Sequence, residues 1–453
     1  MFKVGELVEA TGGKLIQGDL KKTVVGLSTD SRQLKPNEAF LAIKGENFDG
    51  HDFITKAVRL KAGCLICERA NSAASFNTAV IRVPDTTIAL GDIARFARLK
   101  FDLPVIAVTG SNGKTTTKDM IASVLACGGK VLKNEGTKNN HIGLPQTLLK
   151  ITPRDRFAVL EIGTNHFGEV QYLSNICLAQ VGVITNIGQA HLEFFKDQEG
   201  VFKEKSSLLD NLKRPRIAIL NADDGYLARL TRRVSVRKFP VFSFAVDHQA
   251  DFKASGVAIE GGQVVFKVNG KHKFVLHTPG RHNIYNALAA IACGRIFGLS
   301  YAEISHSLRN FSFSKGRLNV LKVRGLNFID DTYNANPLSV RRSLETLKEM
   351  DPSGRKVFVM GDMLELGAQK ESLHKEIAGS ITSICDIFIA CGRLTHLTAA
   401  AALKKGFKKE NIFCCASSPQ ARELIFKKIP LHKDDLILVK GSRGMRMEEV
   451  FKV

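Results

Sequence analysis

The residues best suited to chemistry form one short stretch, which reads Thr-Gly-Ser-Asn-Gly-Lys-Thr-Thr over Thr109–Thr116. The apolar run Val105–Val108 precedes it, and a helical pattern follows over Lys118–Ala126 and stops at Gly128-Gly129. A buried strand, a glycine loop and a helix N-terminus in this order bind phosphate, because backbone N–H groups and the helix dipole face the anion. The sequence therefore predicts a nucleoside triphosphate site.

Each residue of this loop has a predicted role. Lys114 is expected to reach the terminal phosphates of ATP, and the hydroxyl of Thr115 is expected to bind Mg²⁺. A standard P-loop has a further glycine where this chain has Val108, so the motif is the shortened G-x-x-G-K-T-T form. The rest of the cradle is expected to come from Gly110, Ser111, Asn112, Gly113 and Thr116.

Charged residues follow two further strand-like runs. Glu161 comes directly after Phe157–Leu160, and the polar segment that follows Val181–Ile184 ends in His191, with Lys205 on the helical stretch beyond. The carboxyl ends of parallel strands face the ligand in α/β sheets, so these side chains are expected near the phosphate loop. Because Mg²⁺ prefers oxygen ligands and needs few of them from protein, they suggest a two-metal site. A strand-end cap and a structural histidine are the alternatives.

The elements that must position these residues alternate in an α/β order along the whole chain. Short strand-like runs occupy residues 1–84, a largely parallel sheet is predicted within 85–314, and a second α/β series fills 315–453. We therefore predict an α/β fold with three domains at these boundaries. Asn336-Pro337 is predicted to open a helix, with Asn336 as its N-cap. Strands of the last series are predicted at Phe328–Ile329, Val357–Met360, Ile387–Ala390 and Leu436–Val439.

Composition narrows the class of protein. A chain of 453 residues with 44% hydrophobic content can bury several cores. No window approaches the ~20 apolar residues of a membrane span, and the N-terminus lacks the apolar core of a secretory signal. A cytoplasmic protein without membrane insertion is therefore expected. Nine cysteines without framework spacing predict reduced thiols, and the C-x-x-C pair Cys64 and Cys67 is expected to pack in a core strand.

The net charge of +21, from 65 basic and 44 acidic residues, suits anionic ligands or nucleic acid. The basic residues are scattered, however, and clusters such as Lys404-Lys405 have little aromatic surface among them. Solvated faces are therefore favoured, and no nucleic-acid partner is predicted. A P-loop module that binds nucleic acid remains the more distant alternative.

Several stretches resemble the bacterial Mur ligase family, in a shared order over nearly the whole chain. Ser28–Arg32 and Lys44–His51 resemble the family's N-terminal uridine-nucleotide segment. Asn139-Asn140 with Ile142–Pro145 resembles its muramoyl-contacting segment, and Pro279–Ala287 resembles its adenine-binding signature. Three further stretches are similar to those of the family branch that adds D-alanyl-D-alanine, namely Asp330–Pro337, Gly361–Gly367 and Lys440–Glu448.

The resemblance implies an ATP-dependent amide-bond ligase of peptidoglycan synthesis. Such an enzyme joins D-alanyl-D-alanine to UDP-N-acetylmuramoyl-tripeptide through an acyl phosphate, and it uses ATP, two Mg²⁺ ions and a carbamylated lysine. It also implies a small uridine-nucleotide domain, a central P-loop ATPase domain and a C-terminal Rossmann-like domain in a monomer. Whether the third residue of the tripeptide is lysine or diaminopimelate stays open.

Residue roles follow from the same resemblance. Lys114, Lys205 and His191 are implied as catalytic residues, and Mg²⁺ would be held by Thr115, Glu161, His191 and the carbamate of Lys205. ATP contacts are implied for Asn283, Asn286, Arg317 and Asp331. Contacts with the UDP substrate are implied for Ser31, Arg32, Asp49, Gly50, His51, Asn139 and Asn140. Asn334 and Asn336 are implied at D-alanyl-D-alanine or the tripeptide, although Asn336 as a helix cap alone is the alternative.

The nearer alternative is a ligase similar to folylpolyglutamate synthase, which shares the G-x-x-G-K-T-T loop and the strand-end histidine. That group lacks the Ser-Thr-Asp-Ser-Arg segment found here at Ser28–Arg32. The chain also departs from the Mur ligase pattern at Ser206-Ser207, where Gly-Glu is common, and at Thr137-Lys138, where Asn-Leu is usual. Neither departure removes a proposed ligand, so the Mur ligase interpretation is preferred.

Overall fold

The computed structural model describes residues 1–45, 48–69, 78–236, 239–260, 262–350 and 352–452. The predicted α/β class is confirmed, since helices alternate with several mostly parallel sheets. The chain divides into two compact units. The first comprises Met1–Ala107, Lys130–Gly163 and Glu169–Gln180, and the second comprises Val108–Gly129, Thr164–Gly168 and Val181–Val453. The three domain boundaries proposed from the sequence stay a prediction.

The first unit contains a five-stranded sheet. Its strands lie in the order Lys14–Gln17, Ala79–Arg82, Cys64–Cys67, Ala39–Leu41 and Leu27–Ser28; the first pairing is antiparallel and the others are parallel. Cys64 and Cys67 are buried there as predicted, and burial raises the pKa of Cys64 to about 12. The helices of this unit are Val4–Thr11, Ile54–Arg59, Thr86–Leu99, Gly143–Leu148 and Glu169–Cys177, and its remaining strands are Phe2–Lys3, Thr23–Val24, Lys130–Lys133 and Asp155–Glu161.

Parallel strands also form part of the second unit, where Val181–Ile184, Ile217–Asn221 and Val241–Ala245 pair side by side. The last of these pairs in parallel with Phe252–Glu260, which continues as an antiparallel meander through Gln263–Val268 and His272–Leu276. The sequence analysis named no strand between residues 252 and 276, although buried residues recur at every second position of Gln263–Val268, a period that indicates a strand. The helices here are Lys114–Leu125, Leu192–Phe195, Gln198–Asp210, Gly225–Val236, Asn283–Ile296 and Tyr301–Arg309.

A six-stranded sheet follows in the same unit. It has the order Asn319–Val323, Leu326–Asp331, Leu436–Lys440, Lys356–Gly361, Ile387–Cys391 and Ile412–Cys415, with the first pairing antiparallel and the rest parallel. The four strands predicted for this region are confirmed, and each is longer than predicted. Helices Pro337–Glu349, Lys370–Ile384, Thr395–Lys404 and Ser418–Glu423 accompany the sheet. Asn336 caps the first of these helices, since its side chain accepts from Ser339 N at 2.9 Å.

Among the described residues, none of the helices combines the length and the apolar character needed to cross a bilayer.

Candidate active site

The predicted phosphate loop follows the strand Val105–Thr109 and leads into the helix Lys114–Leu125. Gly110 and Gly113 have φ angles of +145° and +78°, and a Cβ on Gly113 would come within 2.5 Å of Asn286 Oδ1. Both positions therefore require glycine. Lys114 Nζ donates to the carbonyl oxygens of Gly110 (2.9 Å) and Ser111 (3.3 Å), so its charge lies over the loop.

A second loop, Thr185–Gly188, fixes the shape of this cradle. Asn186 accepts two backbone N–H groups, from Ser111 through its carbonyl and from Asn112 through its side chain, both at 2.9 Å. Thr185 Oγ1 donates to Asn112 O at 2.6 Å, and Gly188 N donates to Ser111 Oγ at 2.8 Å. The sequence analysis valued this segment only for His191. The sequence could have indicated a role for the whole segment, because polar residues that directly follow a parallel strand lie at the edge of the sheet where ligands bind.

One hydrogen-bond donor of the phosphate loop, in the side chain of Asn112, has no partner among the described residues. Asn112 Oδ1 accepts from Asn336 Nδ2 at 2.8 Å, whereas Asn112 Nδ2 is buried and has no hydrogen-bond partner among the described residues. A buried amide donor without a partner is costly unless a ligand satisfies it. A phosphate oxygen would do so, and this atom therefore supports an anion site at the predicted place.

The two amides predicted to read adenine lie beside the same helix. Asn286 Oδ1 accepts from Thr117 Oγ1 at 3.0 Å, and Asn286 Nδ2 donates to Asn283 Oδ1 at 2.8 Å. Asn283 Nδ2 in turn reaches Thr278 Oγ1 at 3.4 Å. Both asparagines are buried at the start of the helix Asn283–Ile296. The structure thus brings them to the phosphate-loop helix, and their contact with a base stays a prediction.

Arg317 also reaches the phosphate loop. Its Nη2 donates to Thr115 Oγ1 at 2.9 Å, and its guanidinium stacks over the Tyr333 ring with 4.0 Å to the centroid. Stacking on an aromatic ring fixes the orientation of a guanidinium, so its N–H groups can bind a ligand with little further loss of conformational entropy. This contact is consistent with the predicted role of Arg317 at the nucleotide, which stays a prediction.

Asp331 is less available than the sequence suggested. Its Oδ2 accepts from Ser343 Oγ at 2.6 Å and pairs with Lys440 Nζ, which also donates to Asn334 O at 3.1 Å. The sequence analysis assigned no role to Lys440, which is buried at the end of its strand. His282 lies near this pair: burial lowers its pKa to about 4, and the charge of Asp331 opposes that shift. Contact between Asp331 and ATP stays a prediction.

Asn334 is held mainly by its own neighbours. Its Oδ1 accepts from Ala335 N at 2.9 Å and from Arg443 N at 3.4 Å. This amide therefore joins the end of the strand Leu326–Asp331 to the Lys440–Glu448 stretch. Two of the stretches that resembled the D-alanyl-D-alanine branch thus lie together.

The predicted metal ligands of the second unit are Thr115, His191 and Lys205. Lys205 is buried on the helix Gln198–Asp210. His191 has a left-handed backbone with φ of 53°, and its Nδ1 lies 2.6 Å from Glu365 Oε2. The close approach of the His191 ring lowers the pKa of Glu365, which keeps that carboxylate ionised. Glu365 was part of a named stretch but had no assigned role.

These side chains offer few metal-binding donors of their own. The described residues contain no group of three or more His, Cys, Asp and Glu side chains that could hold a metal ion alone. The hydroxyl of Thr115 at a helix N-terminus nevertheless suits a cation that takes most of its ligands from nucleotide phosphates and water. The residues present therefore fit a nucleotide-bound Mg²⁺ rather than an independent metal site.

In the first unit, Glu161 is buried at the end of the strand Asp155–Glu161. Asn139 Nδ2 donates to Glu161 Oε1 at 2.8 Å, so two predicted site residues are in contact. Asn140 has a different task, since its Oδ1 accepts from Gly143 N at 2.9 Å at the start of the helix Gly143–Leu148. Metal binding by Glu161 stays a prediction.

The predicted uridine-nucleotide residues form two local clusters. Asp49 Oδ1 accepts from His51 N at 2.9 Å, and its Oδ2 accepts from Arg69 Nη2 at 2.7 Å, while the backbone and ring contacts with His51 lower the pKa of Asp49. Between them, Gly50 packs so closely on Ile43 that a side chain would clash. The Glu46 and Asn47 positions of this stretch lie outside the described residues.

The second cluster surrounds Ser31 and Arg32. Ser31 is buried, whereas the exposed Arg32 forms a bidentate pair with Asp30 at 2.9 and 2.8 Å. Gln146 Nε2 donates to Thr29 Oγ1 at 2.7 Å, which links this segment to the helix Gly143–Leu148. Gln146 was missed by sequence reasoning, because a pairing across 117 residues leaves no local signal.

Three family models match the chain. They are the Mur ligase family catalytic domain over residues 23–98, the Mur ligase middle domain over residues 108–294, and the Mur ligase glutamate ligase domain over residues 316–443. A relative from Bacillus subtilis (strain 168), named UDP-N-acetylmuramoyl-tripeptide–D-alanyl-D-alanine ligase, is 34% identical over 453 residues. That alignment covers 99% of this chain and 97% of the relative.

Solved structures agree with these matches. A crystal structure of MurF from Acinetobacter baumannii superposes with a TM-score of 0.90 at 31% identity, covering 99% of this chain and 97% of that one. A crystal structure of MurF ligase from Thermotoga maritima in complex with ADP gives a TM-score of 0.82 at 27% identity, covering 94% and 96%.

Proposed function

The chain belongs to the Mur ligase family, and on that premise we propose that it is the ATP-dependent ligase that joins D-alanyl-D-alanine to UDP-N-acetylmuramoyl-tripeptide. The product is the UDP-muramoyl-pentapeptide precursor of peptidoglycan, with ADP and phosphate released. The observation that carries this proposal is the 34% identity, over 99% of the chain, to a relative with that name. The ADP complex of a MurF neighbour supports the use of ATP.

The chemistry follows from what a peptide bond requires. The terminal carboxylate of the tripeptide attacks the γ-phosphorus of ATP, so ADP leaves and an acyl phosphate forms. The amine of D-alanyl-D-alanine then attacks the acyl carbon, phosphate leaves and the amine loses a proton. Lys114 and the backbone N–H groups of the loop hold the transferring phosphoryl group and offset its charge. The hydrogen bond of Arg317 to Thr115 Oγ1 supports a role for Arg317 at the same phosphates.

We propose that the enzyme uses two Mg²⁺ ions, with Thr115, His191 and Lys205 as ligands in the second unit, and we retain Glu161 of the first unit as a proposed metal ligand. When bound, Mg²⁺ offsets phosphate charge and orients the nucleotide for in-line transfer. Lys205 is proposed to act as a carbamate, formed when its neutral amine takes up CO₂ and releases a proton. This replaces a cation with an oxygen-bearing anion, which is the kind of ligand that Mg²⁺ prefers.

The UDP substrate is assigned to the first unit. Ser31, Arg32 and the Asp49–His51 cluster offer hydroxyl, guanidinium and backbone donors for the uridine nucleotide, while Asn139 and Asn140 are assigned to the muramoyl part. Asn334 and Asn336 are retained at D-alanyl-D-alanine or the tripeptide. We also propose a cytoplasmic location, because ATP and a UDP-linked precursor are cytoplasmic metabolites. The proposal further includes a monomer with domains at residues 1–84, 85–314 and 315–453.

Phosphate release is the direct test. We expect ATP-dependent phosphate release that requires both UDP-N-acetylmuramoyl-tripeptide and D-alanyl-D-alanine. The product should be heavier than the UDP substrate by the mass of D-alanyl-D-alanine less one water. Running the lysine and diaminopimelate tripeptides side by side identifies the third residue. Release that ignores D-alanyl-D-alanine, or that responds instead to a folate and glutamate, would overturn the proposal.

A further inference from the structure

The contact between His191 and Glu365 joins two distant parts of the second unit. His191 lies beyond the strand Val181–Ile184, and Glu365 lies in the loop that follows the strand Lys356–Gly361. The ring nitrogen Nδ1 of His191 is buried, has no hydrogen-bond partner among the described residues and lies 2.6 Å from Glu365 Oε2, at ion-pair distance. Among the described residues this carboxylate is the ion-pair partner of the ring.

The backbone on both sides is built for this approach. His191 and Glu365 have φ angles of 53° and 61°, which non-glycine residues adopt only when their surroundings hold them there. Glu193 N points at Glu365 O at 3.5 Å, and a Cβ on Gly367 would meet Glu193 Cα at 3.0 Å. The two loops therefore pack backbone against backbone, and the side-chain contact is not an accident of two long flexible groups.

A carboxylate at Nδ1 has a defined effect on an imidazole. When it accepts from Nδ1–H, it keeps the proton on Nδ1 and leaves the lone pair on Nε2, which is the state that a metal-binding histidine needs. Histidine ligands in proteins are commonly held in this way by an outer carboxylate, whose loss weakens metal binding by about 10- to 100-fold.

We propose that Glu365 is a positioning residue that orients His191 so that Nε2 faces the Mg²⁺ of the bound nucleotide. The inference rests on the metal site of the proposed function. It also gives the Gly361–Gly367 stretch a role: this loop completes the metal site from outside, so a displacement of the loop loosens the histidine.

Glu365 also borders a cavity of about 340 Å³, whose wall includes Glu193, Leu366 and Lys370. A carboxylate at such a wall could instead receive the ammonium group of the acceptor dipeptide. The two roles differ in what they affect: a positioning role changes metal affinity, whereas a substrate role changes the KM for D-alanyl-D-alanine.

The test uses Glu365→Asn and Glu365→Gln in the full chain. Asparagine tolerates the left-handed backbone but is too short to reach His191, and glutamine keeps the length and an acceptor oxygen. Glu376→Gln is the matched control, because Glu376 pairs with Arg341 at 2.9 Å on the surface of the same region. Mn²⁺ binding to the ADP complex is measured by calorimetry, and the His191 tautomer is read from ¹⁵N NMR of histidine-labelled protein.

We expect Glu365→Asn to weaken Mn²⁺ binding by about 10-fold or more and to shift the His191 tautomer, with Glu365→Gln intermediate and Glu376→Gln unchanged. Unchanged Mn²⁺ affinity and tautomer in a folded Glu365→Asn variant would overturn the proposal, as would a raised KM for D-alanyl-D-alanine with normal metal binding. Because both main readouts are independent of turnover, failure of the proposed ligase reaction in wild-type protein is recognised separately.

Discussion

At the scale of single residues, Lys114 carries the most specific expectation. Its ammonium group lies on the loop carbonyls, where it can move to a phosphate without rearranging the backbone. We expect Lys114→Ala to lower kcat for ligation by at least ~100-fold, because it removes the charge that offsets the transferring phosphoryl group. The melting temperature should stay near that of wild type. Lys404→Ala, an exposed lysine at a helix end, is the control, and near-normal turnover in Lys114→Ala would place ATP chemistry elsewhere.

Lys205 tests the proposed carbamate. Its side chain is buried, whereas Lys203 on the same helix is exposed. We expect Lys205→Ala to lose about 100-fold or more in kcat and to regain part of it with acetate or formate, since a small carboxylate can occupy the position of the carbamate. Lys203→Ala should behave as wild type. Full activity of Lys205→Ala without added carboxylate would contradict the assignment.

At the scale of elements, Asn336 serves two contacts that can be separated. Its Oδ1 caps the helix Pro337–Glu349, and its Nδ2 donates to Asn112 in the phosphate loop. Asn336→Ala should lower the free energy of unfolding by about 1 kcal/mol, while Asn336→Ser keeps a capping oxygen and should be near wild type.

Both Asn336 variants should lower kcat/KM for D-alanyl-D-alanine more than they raise the KM for ATP, because Asn336 lies in the Asp330–Pro337 stretch, which resembles the branch that adds D-alanyl-D-alanine. Chemical denaturation and steady-state kinetics on the same preparations make the comparison. If Asn336→Ser turns over like wild type, capping is the whole contribution of this residue.

His282, in the turn before the helix Asn283–Ile296, is expected to make the stability of the fold depend on pH. The pKa of His282 is lowered to about 4, chiefly by burial, so His282 is neutral in the folded chain at pH 5. The unfolded chain protonates it near its ordinary pKa of about 6.5. Between these values the unfolded state binds more protons, so this contribution to stability is complete above pH 6.5 and is lost as the pH falls toward 4.

Melting temperatures from pH 7.5 to 4.5 should therefore fall less steeply in His282→Gln than in wild type. His277→Gln, which changes an exposed histidine, should follow the wild-type curve. Equal slopes in all three proteins would mean that His282 gains its proton equally in both states.

At the scale of the whole molecule, the net charge of +21 needs an explanation. We ascribe it to anionic substrates and solvated faces, so we expect filters to retain DNA or RNA weakly at low salt and not at about 0.15 M salt. ATP binding by the same preparation is the control for a folded protein. Tight retention of nucleic acid at physiological salt would restore the nucleic-acid alternative.

The sequence by itself determined the local parts of this protein. The phosphate loop follows from glycines that alone tolerate its backbone angles, between an apolar strand and a helix start. The Asn336 cap and the buried parallel strands are equally local, since a capping side chain or an apolar run carries its own signal. The family followed because such stretches occur in a shared order.

The tertiary structure alone decided which side chains meet. Asn336 and Asn112, Arg317 and Thr115, Asp331 and Lys440, and His191 and Glu365 are all pairs from distant parts of the chain. Such partners decide whether the Asp331 carboxylate is available to a ligand and which nitrogen of His191 faces one. No local sequence pattern reveals these partners. The reason is physical: propensity and periodicity act over a few residues, whereas the geometry of a site is set by packing between elements that the sequence leaves far apart.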